Sequence, residues 1–143
     1  MRLSHFTDIG LRSLIYTAQL SQGEKTNVRE ISEYYQISRS HLVKAINQLT
    51  HLGYFNSVRG RNGGILLAKA PSDINIGEVI QSLEVNLDGV DCTGGCVLLP
   101  NCVLKKELID ATNAYLTHMK KITLNDLIRP VDSLDITTPI KLV

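Results

Sequence analysis

The stretch from Ser38 to Ala68, SRSHLVKAINQLTHLGYFNSVRGRNGGILLA, changes its period halfway along. Its first half sets Leu42, Ala45, Ile46 and Leu49 three or four residues apart, the spacing that lines up one apolar face of an α-helix. Ser38 stands where a short side-chain oxygen can cap the first turn, and Gly53 stands where a helix stops. Beyond Gly53 the pattern is extended. Tyr54 to Val58 and Ile65 to Ala68 are rich in β-branched, aromatic and aliphatic residues and flank RGRNGG, in which Asn62-Gly63 is a two-residue hairpin signal. A helix followed by a hairpin with Arg59 and Arg61 at its tip is the second half of a winged helix-turn-helix.

The flanks complete that order. On the N-terminal side, Asn27 with Glu30 three residues later opens a short helix that ends near Gln36 and Ile37. Before it, Asp8 to Leu20 reads as a helix facing inward through Leu11, Leu14, Ile15 and Ala18, capped by Thr7 or Asp8 and ended by Gly23. On the C-terminal side, Pro71 and Ser72 break the chain, and Ile76 to Leu83 forms a helix with Ile76, Val79, Ile80 and Leu83 on one face. Residues 86–101 hold three glycines and a proline without a sustained period and read as a loop. A longer helix starts near Cys102 or Val103 and repeats through Leu104, Leu108, Ala111, Tyr115, Met119 and Ile122, and Thr123 caps a short last helix through Leu127. The expected fold is mainly α: a winged helix-turn-helix over residues 1–84 with a β-hairpin wing, a cysteine-bearing loop over 85–102, helices over 103–128, and a flexible tail over 129–143.

Composition narrows the partners. The 143 residues are 43% hydrophobic and 20% charged, which suits one water-soluble domain. Uninterrupted apolar runs reach only four residues and the N-terminus has no apolar signal core, so a cytoplasmic protein is expected. The formal net charge of +1 conceals a division: residues 1–70 carry nine Lys/Arg against four Asp/Glu, and residues 71–143 carry six against ten. The basic half is the one that suits a polyanion. At the exposed start of its third helix stand Ser38, Arg39, Ser40, His41 and Lys44, groups that can reach base edges and phosphates. Arg59 and Arg61, with Asn62 beside them, suit an adjacent minor groove, whose negative potential is strongest where it is narrow.

The three cysteines follow Cys92-x3-Cys96-x5-Cys102 within a glycine-containing stretch. Three thiols on so short a loop can converge on a soft metal centre. Zinc, or a disulfide beside one free thiol acting as a redox sensor, remain open alternatives, although a zinc site usually adds a histidine and none lies between positions 52 and 117. The scattered His5, His41, His51 and His118 read as surface or packed residues rather than as metal ligands. There is no phosphate-binding glycine loop, nucleophile elbow or H-E-x-x-H pair, so no enzyme is expected.

FTDIGLRSLIY, SRSHLVKAINQL, VRGRNGG and the three-cysteine loop together resemble the Rrf2 family of winged-helix iron-sulfur regulators, and within it the nitrite-sensitive repressors that sense nitric oxide, over residues 1 to about 128. The resemblance implies a homodimer on palindromic double-stranded DNA. It implies an iron-sulfur cluster held by Cys92, Cys96 and Cys102, with a carboxylate at Asp8, contributed by the partner subunit, completing the coordination, and a repression that nitric oxide relieves. It also implies that the long helix from about Val103 to Lys121 forms the dimer interface. A histidine just after the third cysteine, as a two-iron relative uses, is missing from Val103 to Glu107; a 4Fe-4S cluster is therefore favoured, with 2Fe-2S as its alternative. An electron-transfer or cluster-carrier protein, whose basic half only docks acidic partners, is the alternative from another class.

Overall fold

The computed structural model describes residues 2–87, 89–90, 92 and 94–128; the tail expected over 129–143 lies outside the described residues. Helices α1 (His5–Ala18), α2 (Val28–Tyr35) and α3 (Arg39–His51) are followed by strands β1 (Phe55–Val58) and β2 (Gly64–Leu67), a short 3-10 turn (Pro71–Asp73), and helices α4 (Ile76–Leu83), α5 (Val103–Met119) and α6 (Leu124–Leu127). The two strands form an antiparallel hairpin with Phe55 opposite Leu67 and Val58 opposite Gly64. This is the expected winged helix: a helical body with a two-stranded wing. Among the described residues no helix is long and apolar enough to cross a membrane.

The core follows the predicted face of α3. Leu42, Ala45, Ile46 and Leu49 are all buried, together with Ile9, Leu14, Ile31, Phe55, Ile76, Val79 and Ile80. Each large aliphatic side chain taken from water contributes about 1.5–3 kcal/mol, so this cluster fixes where α3 sits. The α4 prediction is matched residue for residue, with Asn75 Oδ1 accepting from the Glu78 amide at 3.1 Å.

Helix α1 departs from the expectation. Its buried stripe is Thr7, Ile9, Gly10, Ser13, Leu14 and Thr17, whereas Leu11, Ile15 and Ala18 are only half-buried. The reason is close approach. A Cβ on Gly10 would stand 2.7 Å from Leu83 Cδ1, so α1 comes close to α4 at this position. The buried hydroxyls cost little because Ser13 Oγ donates to the Ile9 carbonyl (2.8 Å) and Thr17 Oγ1 to that of Ser13 (2.9 Å). The N-cap is likewise neither Thr7 nor Asp8. The helix begins earlier, and Ser4 Oγ accepts from the Thr7 amide at 3.2 Å, which places Asp8 on the helix rather than before it. Ser38 occupies the N-cap position of α3, but its hydroxyl pairs with Ser40 Oγ at 2.9 Å and makes no capping bond to the backbone.

The wing turn also differs from the two-residue Asn62-Gly63 form. The tip spans 59–63, closed by the Gly63 amide donating to the Gly60 carbonyl at 2.9 Å, and the positive φ falls on Gly60 (108°), not on Asn62 or Gly63. Gly63 is required for space: a Cβ there would lie 2.4 Å from the Val58 carbonyl oxygen.

Candidate nucleic-acid interface and cysteine loop

Burial of Leu42, Ala45, Ile46 and Leu49 turns the opposite face of α3 outward, leaving Arg39, Ser40, His41 and Lys44 exposed. Arg39 reaches Glu33 Oε1 at 3.4 Å, and Arg29 Nε reaches the same oxygen at 2.8 Å; both pairs are exposed and contribute little to stability. His41 meets His5 of α1 edge-on, ring centroids 5.8 Å apart. Lys44 forms no ion pair among the described residues. Arg59, Arg61 and Asn62 stand exposed at the wing tip, so the structure presents the helix start and the wing tip as two separate cationic projections. The outer face of α3 continues through the 41%-exposed Val43 and the exposed Asn47, which the sequence reading passed over because it stopped at the first turn. The signal was present: these positions fill the gaps between the inward-facing residues.

An aromatic group joins α1 to α2. Tyr16, Tyr34 and Tyr35 contact one another edge-on with centroids 4.8–6.2 Å apart, and the Arg12 guanidinium lies 5.7 Å from the centroid of the Tyr35 ring. Burial pushes the Tyr35 phenol above its usual value, so it stays a neutral hydroxyl near pH 7.

The cysteine loop is built otherwise. Cys92 and Cys102 are half-buried, Cys96 is exposed, and all three thiols are free. Cys102 is the N-cap of α5: its Sγ accepts from the Lys105 amide at 3.4 Å, so one sulfur faces the free amides of a helix start. The donor chemistry fits a soft centre, three thiols within eleven residues. The geometry does not assemble it: among the described residues no three His, Cys, Asp or Glu side chains stand close enough to hold a metal ion. Asp8 is engaged elsewhere, its two carboxylate oxygens accepting from Arg12 Nε at 3.0 and 2.9 Å.

Helix α5, which carries Cys102 at its start, buries only Thr112 and Leu116 against its own chain. Of the apolar repeat, Leu104 is 61% exposed and Ala111 is exposed, whereas Leu108, Tyr115, Met119 and Ile122 are half-buried, the last three packed against the core, so among the described residues it is the N-terminal half of the repeat that is left open.

Residues 3–130 match the model of a family described as Rrf2, iron-dependent transcriptional regulator. The chain is similar to the global cysteine regulator CymR of B. subtilis, with 27% identity, a TM-score of 0.74 and coverage of 90% of this chain and 96% of that one. It is also similar to the oxidized form of CymR from Staphylococcus aureus, with 25% identity, a TM-score of 0.74 and coverage of 93% and 100%. IscR of T. potens, at 24% identity, shares the fold with a TM-score of 0.73 over 97% of this chain and 93% of that one.

Proposed function

The chain belongs to the Rrf2 family of transcriptional regulators, DNA-binding proteins that are typically dimeric and are not enzymes, and from that premise we propose a nitric-oxide-responsive repressor resembling NsrR. In this reading it is a homodimer on a palindromic operator, and Cys92, Cys96 and Cys102 hold an iron-sulfur cluster. Membership of the family removes the carrier alternative.

The observation that carries the reading is α5. Cys102 caps the helix whose N-terminal half leaves Leu104 and Ala111 exposed among the described residues, so the cysteine loop and a seam fit for a second copy meet on one element. Held by Cys92, Cys96 and Cys102, a cluster would supply iron sites open to nitric oxide, and in this reading the effector relieves repression of nitrosative-stress genes. The partner's Asp8 is the fourth ligand, which requires the Asp8–Arg12 pair to open; the pair is exposed and costs about 0–1 kcal/mol to break. Asp8 and His5 share the first turns of α1, and His5 abuts His41 at the start of α3, so a displacement of α1 is felt where the recognition helix begins. Two such helices must match half-sites about 34 Å apart, and a small rotation misaligns one of them. Coupling of about 1–3 kcal/mol changes operator affinity about 5- to 150-fold.

Anaerobic analysis of iron, sulfide and zinc, combined with a nitric oxide titration of operator binding, tests the proposal. Stoichiometric iron and sulfide with gas-dependent release from DNA is the expected result. A colourless protein with zinc or no metal overturns the cluster reading. It would instead favour direct thiol sensing, the second reading, which rests on the free and unassembled thiols and the likeness to a cysteine regulator.

A further inference from the structure

The wing of this protein is not a free hairpin. Thr26, in the segment that leads into α2, forms a two-bonded antiparallel bridge with Ile65: its amide donates to the Ile65 carbonyl at 2.9 Å, and the Ile65 amide donates back at 2.8 Å. One residue earlier, Lys25 Nζ reaches across thirty-seven positions and donates to the Asn62 carbonyl at 3.1 Å, at the wing tip between Arg61 and Gly63. The approach is close. A Cβ on Gly64 would lie 2.7 Å from the Thr26 carbonyl oxygen and 3.1 Å from Lys25 Cβ, so Gly64 is what lets residues 25 and 26 lie along the hairpin. Asn27 then caps α2, with its Oδ1 accepting from the Glu30 amide at 3.0 Å. The wing base, the wing tip and the first helix of the helix-turn-helix are therefore joined by one short segment.

This matters because the tip has little else to hold it. Its residues 59–62 are exposed, and its closing bond, Gly63 to Gly60, is internal to the turn. Without an anchor, two guanidinium groups on an exposed hairpin tip sample many positions, and ordering them on a ligand costs conformational entropy at the moment of binding. An ammonium fixed to the backbone carbonyl between Arg61 and Gly63 removes part of that freedom beforehand. Lys25 forms no ion pair among the described residues, so its charge is not cancelled by a carboxylate and adds to the cationic character of the tip.

We infer that Lys25 is a positioning residue for DNA recognition: by holding the Asn62 carbonyl it sets the wing tip relative to the helix-turn-helix, so that Arg59 and Arg61 meet the duplex together with α3. The inference rests on the reading of the wing as a DNA-contacting element, and it has a component that needs no DNA. Exchange of the Gly63 amide, which is bonded to the Gly60 carbonyl and shares its peptide unit with the Asn62 carbonyl, should quicken several-fold in Lys25→Met in the free protein, whereas exchange in the core of α3 stays as in the wild type. Unchanged exchange at the tip overturns the inference whatever the protein does with DNA.

The second component is a double-mutant cycle on a duplex that the wild-type protein selects from a randomised pool, read by fluorescence anisotropy. Lys25→Met should weaken binding about tenfold in the wild-type background and about twofold or less in an Arg61→Ala background, because a clamp on the tip has little to position once the tip arginine is gone. Lys25→Arg, which keeps a cationic donor, should restore most of the loss. Equal losses in both backgrounds, or wild-type affinity in Lys25→Met, overturn the inference. If the wild-type protein selects no duplex, or Arg59→Ala and Arg61→Ala leave its affinity unchanged, it is the DNA-contact reading of the wing that fails, and the exchange result still decides whether Lys25 holds the tip.

Discussion

The reading half and the cysteine half of this molecule are stabilised differently. Helix α3 rests on four side chains buried by its own chain, and the wing is zipped to the segment before α2, so both surfaces are in place in a single copy. Helix α5 buries only Thr112 and Leu116, and the loop before it leaves Cys96, Val97 and Leu98 exposed. The difference teaches where regulation can enter. A surface assembled within one copy sets what is bound, and a region with exposed apolar side chains and free thiols responds to whatever covers or binds them.

Substitutions can break this contrast, beginning with the largest effect. Leu49→Ala should cost about 2–5 kcal/mol of unfolding free energy, measured by urea denaturation, because it empties a fully buried position under α3. Leu104→Glu, by contrast, should leave monomer stability within about 0.5 kcal/mol, yet raise the dimer dissociation constant about 100-fold in sedimentation, since this side chain is mostly exposed among the described residues. A comparable loss of monomer stability would mean that α5 is held by its own chain.

Replacing Cys92, Cys96 or Cys102 by Ala should abolish bound iron and weaken selective operator binding about tenfold, near the middle of the usual range for coupled sites. Iron retained in all three variants would place the ligands elsewhere. Arg61→Ala should reduce operator affinity about fivefold and lower the slope of log affinity against log salt by about 0.9 per protomer, with the visible spectrum unchanged. A change of colour would erase the division between the halves. Smallest is Asp8→Ala, expected to change stability by under about 1 kcal/mol because the Arg12 pair is exposed, while altering the nitric oxide titration. A titration curve identical to the wild type would remove Asp8 from the ligand set.

Legibility in the sequence tracked burial by large apolar groups. Helices α3 and α4 were readable because their inward faces are continuous Leu, Ile, Val and Ala at helical spacing. The inward face of α1 was legible only at Leu14, because besides Ile9 it packs through Thr7, Gly10, Ser13 and Thr17, small residues that a count of hydrophobic residues passes over. The same periodicity placed Leu104 and Ala111 on one apolar face of α5, and the structure leaves both exposed. Of the candidate site, the cationic residues of α3 and the wing were legible as exposed charge. Lys25 was not, because its partner carbonyl lies thirty-seven residues away and no local pattern marks it.

From its residues alone this chain specifies its elements, their order, the face that α3 turns inward and the family to which it belongs, since all of these follow from short-range periodicity and local motifs. Tertiary packing decides how the wing is braced, that Asp8 is paired with Arg12, and that Leu104 and Ala111 of α5 stay exposed while Tyr115 and Met119 reach the core. Those depend on distances between segments far apart in the chain, which periodicity and composition do not encode.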